Sequence, residues 1–398
     1  MRNTPHPQQS LPRTCCGAAA SPTRGEAKAL EHLFIQERSS WERQKAVAFE
    51  SNFLAREHHM KIFAPGKLIL SGEHAVIHGS PALAMAINRY TTVTITREML
   101  PQILFDLSDL AHQGGLSLRA LRAVKARLKH KYQRFIRGDF SIRQVLQKPF
   151  ELAQFALSLF VESLNLTLPH GVKIHLQSDI PIGCGLGSSA ATILSVMHAV
   201  SIYLQIPIST EKLFQLALEA ENMQHGRSSG LDLRVALQGG CLYHDAAASQ
   251  PTQTRPIPAF PFYLVNTGTP ITTTGECIEN VAAYFQDRQL TAAFTHATQA
   301  MDHALTQQSP TEMQAAIRDN HQLLTRIGVV PQKVQTFIRN IEAHGGAAKI
   351  CGAGAVRGEQ AGAILVLIED QTLLTTLSHS FHYNLFPIAG ETRGVHAA

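Results

Sequence analysis

Between Val172 and Leu204 the chain passes from an alternating strand, Val172-Lys173-Ile174-His175-Leu176, through a Gly/Pro loop over 178–187 into a helix rich in Ala, Ile, Leu and Val that starts at Ser188. Within the loop, glycines stand at 183, 185 and 187. Such spacing lets backbone N–H groups converge on an anion, and the positive end of the helix dipole adds to the same point. The segment reads as a phosphate cradle. A plain glycine turn joining strand to helix is the alternative for the loop taken alone. It is not a Walker loop, because the G-x-x-x-x-G-K-[ST] spacing and its lysine are missing. Nor is it a dinucleotide fingerprint, because the acid expected about 20 residues on is absent. Glu211 comes near that distance but belongs with Ser209 and Thr210 to the start of another helix.

Two further segments carry chemistry. In Ala64-Pro65-Gly66-Lys67-Leu68-Ile69-Leu70-Ser71-Gly72-Glu73-His74-Ala75-Val76-Ile77-His78-Gly79, a lysine after a Pro-Gly turn leads into an apolar strand, which can aim its ammonium into a cleft. Glu73, His74 and His78 crowd the next turn. In Glu221-Asn222-Met223-Gln224-His225-Gly226-Arg227-Ser228-Ser229-Gly230-Leu231-Asp232, a glycine-punctuated turn separates two acids. One could bind Mg²⁺ and the other act as a base; Asp232 could equally cap the helix that follows.

Around these segments the 398 residues have globular composition, 44% hydrophobic and 16% charged, so disorder throughout is excluded. The length suits two domains or one large α/β domain. The net charge of +5 is concentrated nowhere except Lys125, Arg127, Lys129, Lys131 and Arg134, which read as a solvated helix face rather than a nucleic-acid surface. Six cysteines form no C-x-x-C pair, which points to a reducing compartment without structural zinc. No run reaches the roughly 20 apolar residues of a membrane span. The expected setting is cytoplasmic, with no membrane and no nucleic-acid partner.

The texture changes at Met60. Residues 1–59 read as an appended arm, poorly ordered or partly helical to about Ala55, and Met60 could be an internal start. Strands are expected at Leu68–Leu70, Ala82–Ile87 and Thr91–Thr96, and helices over 116–135 and 145–164. Later come strands at 241–243 and 262–265, mostly helix from 274 to 344, and a strand at 363–368 after the glycines at 352 and 354.

These three segments resemble the GHMP small-molecule kinases, and within them the branch that phosphorylates mevalonate. Residues 64–79 are similar to the first motif nearly throughout, Pro181–Ala191 to the second, and Lys349-Ile350-Cys351-Gly352-Ala353-Gly354 to the start of the third. The likeness spans about residues 60 to 370. It implies an α+β, two-domain fold, 60–238 binding ATP and 239–398 following, with the active site in the cleft between the domains. By the same resemblance Asp232 is the catalytic base and Lys67 its positive partner, Lys67 also reaching the nucleotide. Ser189 and Glu221 match Mg²⁺ ligands. Ser178 and residues Gly183, Cys184, Gly185, Leu186, Gly187, Ser188 and Ser189 match ATP-phosphate contacts, and Glu73 and His74 lie with Asp232 near the acceptor. The activity implied is ATP-dependent phosphorylation of the primary alcohol of mevalonate to 5-phosphomevalonate in isoprenoid biosynthesis, in a chain that could form a homodimer. The alternatives are another acceptor, phosphomevalonate or a sugar, and a catalytically silent nucleotide-binding sensor.

The sequence departs from the family pattern in two places. After Gly354 the third motif continues Ala355-Val356-Arg357-Gly358-Glu359-Gln360-Ala361-Gly362 instead of a glycine run. After Asp232 stand Leu233 and Arg234, so Arg234 could pair with Asp232 or reach a substrate carboxylate; Arg234 and Arg357 are the candidates for extra positive charge at the acceptor.

Overall fold

In the computed structural model, the residues described are 60–398 except 108–111, 140, 149, 169, 182, 246–247 and 249–251. The expected arm and its helix lie outside them.

The larger sheet is built on two long strands, β1 (Lys61–Ser71) and β2 (Ala82–Glu98), paired antiparallel. The three short strands expected between 68 and 96 are thus parts of two continuous ones. Beyond β2 come β5 (Gly171–Ser178), β3 (Ile103–Leu107) and β4 (His112–Leu116), with β3 and β5 parallel. The first four residues of β2 also pair with β6 (Cys241–His244), which carries β7 (Thr252–Arg255), and β12 (His396–Ala397) adds to the free edge of β1. Across the chain, β8 (Phe262–Asn266), β9 (Ala347–Cys351), β10 (Ala363–Leu367) and β11 (Asn384–Ile388) form a second, antiparallel sheet in the order β11-β8-β10-β9.

Helix α1 (Leu118–Ile136) starts at Ser117, whose hydroxyl accepts from the Ala120 N–H. Its basic stretch is partly paired: Lys125 with Glu162, Arg127 with Glu151 and Lys129 with Glu219. Helix α2 (Glu151–Ser163) and helix α3 (Ser188–Tyr203) are apolar nearly all round and correspondingly buried, and α3 packs on β1 and β2. Helices α4 (Thr210–His225) and α5 (Leu231–Gln238) complete this half. The second half adds α6 (Thr274–Val281), α7 (Arg288–Thr306), α8 (Pro310–Arg326), α9 (Gln332–Ala343) and α10 (Gln371–Phe381); α8 and α9 lie on β9, α10 lies against β11, and α7 packs on α8. No helix among the described residues is long and apolar enough to cross a membrane.

Candidate active site

The site is assembled from turns at the ends of β1, β5, α4 and β9. A cleft of about 480 Å³ is lined by Lys67, Glu73, His74, Ser178, Gly183, Gly185 to Ser189, Glu221, Asp232, Gly352 and Ala353, among others. Sequence-distant motifs therefore meet. Cys184 is the member of the glycine loop that turns away: its thiol donates to Asn266 Oδ1, at 3.3 Å, and its carbonyl accepts from the Ala363 N–H.

Within β1 the Lys67 N–H donates to the Leu186 carbonyl, at 2.9 Å, tying the first motif to the glycine loop. The Lys67 ammonium then lies 3.0 Å from Asp232 Oδ1, with the lysine side chain buried and the aspartate 27% exposed. Asp232 sits in the first turn of α5, where a carboxylate also favours the helix dipole. Gly187, at φ +76°, is the residue before α3. Gly185, at φ +80°, lies so close to the third motif that a Cβ there would be 2.9 Å from the Cys351 carbonyl. The two loops meet backbone to backbone at Gly185 and Gly352, where a Cβ on either residue would crowd the other loop.

Opposite Lys67, Glu221 is buried in the last turns of α4 and accepts from Ser228 Oγ at 2.8 Å. Burial first, and then the negative charge of Asp232, push its carboxyl up to about 8. Two carboxylates facing one another with a hydroxyl nearby form a site that gains from a cation. Ser189 Oγ lies 3.1 Å from His225 Nε2 at the head of α3. Hard oxygen donors in small number, leaving room for phosphate oxygens, suit Mg²⁺ rather than a metal held by protein alone; no cluster of three His, Cys, Asp or Glu among the described residues provides the latter.

On the other wall, Glu73 is buried against Lys349, which also donates to the Ile69 carbonyl at 3.3 Å. His74 has φ 60°, and its Nε2 lies 3.0 Å from the Ala353 carbonyl. A carbonyl only accepts, so Nε2 carries the proton and Nδ1, buried without a partner, is left as an acceptor. Burial pushes His74 down to about 4, so the ring is neutral at ordinary pH. Ser178 Oγ is 3.0 Å from Thr91 Oγ1 and accepts from the Ile180 N–H.

Arg234 does not pair with Asp232: its guanidinium lies over the Phe214 ring, 4.1 Å from the centroid. Arg357 is mostly exposed and faces Glu276, which also holds Arg143. Neither arginine lines the cleft. Ser228, His225 and Ile278, which do border it, were not singled out in the sequence. Ser228 and His225 lie inside the quoted third segment, but nothing in a sequence says which neighbours of an acid will bond to it.

The model for the GHMP kinases N terminal domain matches residues 151–240, and the galactokinase galactose-binding signature matches 47–97. The chain is 28% identical over 303 residues to a mevalonate kinase of Pyrococcus horikoshii, covering 73% of this chain and 84% of that protein. To a mevalonate kinase of Archaeoglobus fulgidus it is 29% identical over 297 residues, covering 73% and 88%. The crystal structure of the Methanococcus jannaschii mevalonate kinase superposes with a TM-score of 0.69 at 23% identity, covering 84% of this chain and 99% of that one. By fold, by the match of residues 151–240 to the GHMP kinases N terminal domain and by sequence over about three quarters of its length, the chain is similar to the GHMP kinases and among them to the mevalonate kinases.

Proposed function

We propose that this kinase transfers the γ-phosphoryl group of ATP to the primary alcohol of mevalonate, giving 5-phosphomevalonate, with Asp232 as the base and Lys67 as its positive partner. The observation that carries the reading is the Lys67–Asp232 pair, 3.0 Å apart and bordering the same cleft as the glycine loop. Phosphoryl transfer asks the protein mainly to position the reactants and stabilise charge. N–H groups of the loop and of the α3 terminus receive the phosphates, and Lys67 supplies fixed positive charge beside them. Ser189 and Glu221 would hold Mg²⁺, which would supply positive charge to offset that of the phosphates. Asp232, with Oδ1 3.0 Å from the Lys67 ammonium, takes the alcohol proton as transfer proceeds. A loose transition state requires little push from the nucleophile, so a carboxylate suffices.

The acceptor wall favours a small branched alcohol. Beside Glu73 and His74 the cleft is bordered by Ile69, Val76, Ile77 and Ile278, an aliphatic surface suited to a methyl-bearing chain. Of the two arginines that the sequence offered as extra charge for a phosphorylated acceptor, Arg234 and Arg357, neither borders the cleft; Lys148 and Arg227 do border it, so phosphomevalonate stays in the panel of acceptors to be tested. A silent sensor would not need both Lys67 and Asp232. The test is Mg²⁺-dependent ADP release by purified protein across a panel of alcohols. Turnover is expected with mevalonate; robust turnover of phosphomevalonate or a sugar with none of mevalonate at millimolar concentration would overturn the substrate assignment.

A further inference from the structure

Behind the acceptor wall lies a buried polar network that joins the first motif to the second sheet. Ser71 Oγ is 2.8 Å from Thr298 Oγ1 on α7 and accepts from Asn320 Nδ2 on α8 at 2.5 Å. Two residues on, Glu73 is paired through Oε1 with the ammonium of Lys349 on β9, and the two side chains are 1% and 0% exposed. The other carboxylate oxygen, Oε2, is buried without a partner. Glu73 and the adjoining His74 border the cleft, whereas Lys349 does not.

A charge this deeply buried persists only with an opposite charge against it. Burial tends to protonate Glu73 and Lys349 opposes that. One ammonium bonded both to the Ile69 carbonyl and to Oε1 also fixes the carboxylate against the backbone of β1. The side chain is thereby denied other rotamers, and Oε2 is the oxygen left unclaimed at the wall. The turn it holds includes a non-glycine residue at positive φ, His74, a conformation that persists only where surroundings over-determine it.

We infer that Lys349 is a positioning residue for the acceptor alcohol: without touching it, it acts through Glu73 to set the wall against which the alcohol binds. The inference rests on the proposed phosphotransferase reading. It is tested in a double-mutant cycle on the full chain with Mg²⁺-ATP and whichever alcohol the unmodified enzyme phosphorylates. Lys349→Met is expected to raise the KM for that alcohol about tenfold while leaving the KM for ATP within about twofold. In the Glu73→Gln background, where no buried carboxylate needs a cation, the same replacement should change the alcohol KM by less than about twofold. If Lys349→Met does not fold, Lys349→Arg, which keeps the cation but moves it, replaces it in both backgrounds with the same expected pattern at smaller amplitude. Equal rises in both KM values, an unchanged alcohol KM, or an effect of the same size in both backgrounds would overturn the inference. Absence of turnover with every alcohol in the unmodified enzyme would instead overturn the reading beneath it.

Discussion

Gly187 is pressed against the side chain of Lys67: a Cβ on that glycine would stand 2.7 Å from Lys67 Cγ and 3.3 Å from its backbone nitrogen. The glycine loop thus shapes the lysine as well as the phosphate site. Gly187→Ala would force the lysine stem aside, and the left-handed backbone alone costs about 1–2 kcal/mol for a residue with a Cβ. Expected are a measurable fall in the urea midpoint and a drop in kcat of at least about tenfold. An alanine variant with unchanged kcat would show that the position of the Lys67 ammonium does not govern the reaction.

Asp232 lies 3.0 Å from Lys67 and is partly exposed to the cleft, so an amide of the same shape should fit in its place. Asp232→Asn removes the proton acceptor and leaves the glycine loops untouched. General-base contributions of about 10²–10⁴ in rate set the scale of the expected loss in kcat. ATP affinity, read by calorimetry, should stay within about threefold. A near-normal rate in the Asn variant would refute the base assignment.

Burial first, and then repulsion from Asp232, push the Glu221 carboxyl up to about 8. A divalent cation removes that conflict. Glu221→Gln should move the Mg²⁺ concentration for half-maximal rate upward by about tenfold or more, in line with the loss of a charged ligand. The check is a Mg²⁺ titration at fixed ATP; superimposable curves for the two proteins would exclude Glu221 from the metal site.

How much of this could be read from residue order differs between the two halves of the site. The loop at 183–187 and the helix from Ser188 are local in sequence, and their conformation follows from glycine spacing and apolar composition, so both were legible. So were most strands and helices with strong periodicity. By contrast β3 and β4 went unrecognised: β4, His112-Gln113-Gly114-Gly115-Leu116, has two glycines and no alternating apolar face, and is a strand only because β3 pairs with it. The partner of Glu73 was equally hidden, since Lys349 lies 276 residues away and only the approach of β9 to β1 brings the two together. Arg234 shows the opposite limit. Its place after Asp232 suggested a charge pair, but on α5 the side chain projects toward Phe214 of α4, and an aromatic face answers its charge.

His321, on α8, is buried near Lys349, and its Nδ1 has no hydrogen-bond partner. Burial first, and then the charge of Lys349, push the imidazole down to about 4 from the ordinary 6.5. Between those two values the unfolded chain binds a proton that the folded chain does not. The contribution to stability is therefore complete above pH 6.5 and is lost progressively as the pH falls toward 4. At pH 5 the loss from this one group is on the order of 2 kcal/mol. His321→Leu replaces the ring with an apolar side chain that has no proton to gain. Urea unfolding at pH 7 and at pH 5 should then show the unmodified protein losing about 2 kcal/mol more than the variant over that interval. His74, pushed down to about 4 by burial, remains in both proteins and so cancels from the difference. Parallel losses in the two proteins would mean that His321 does not stay neutral in the folded state.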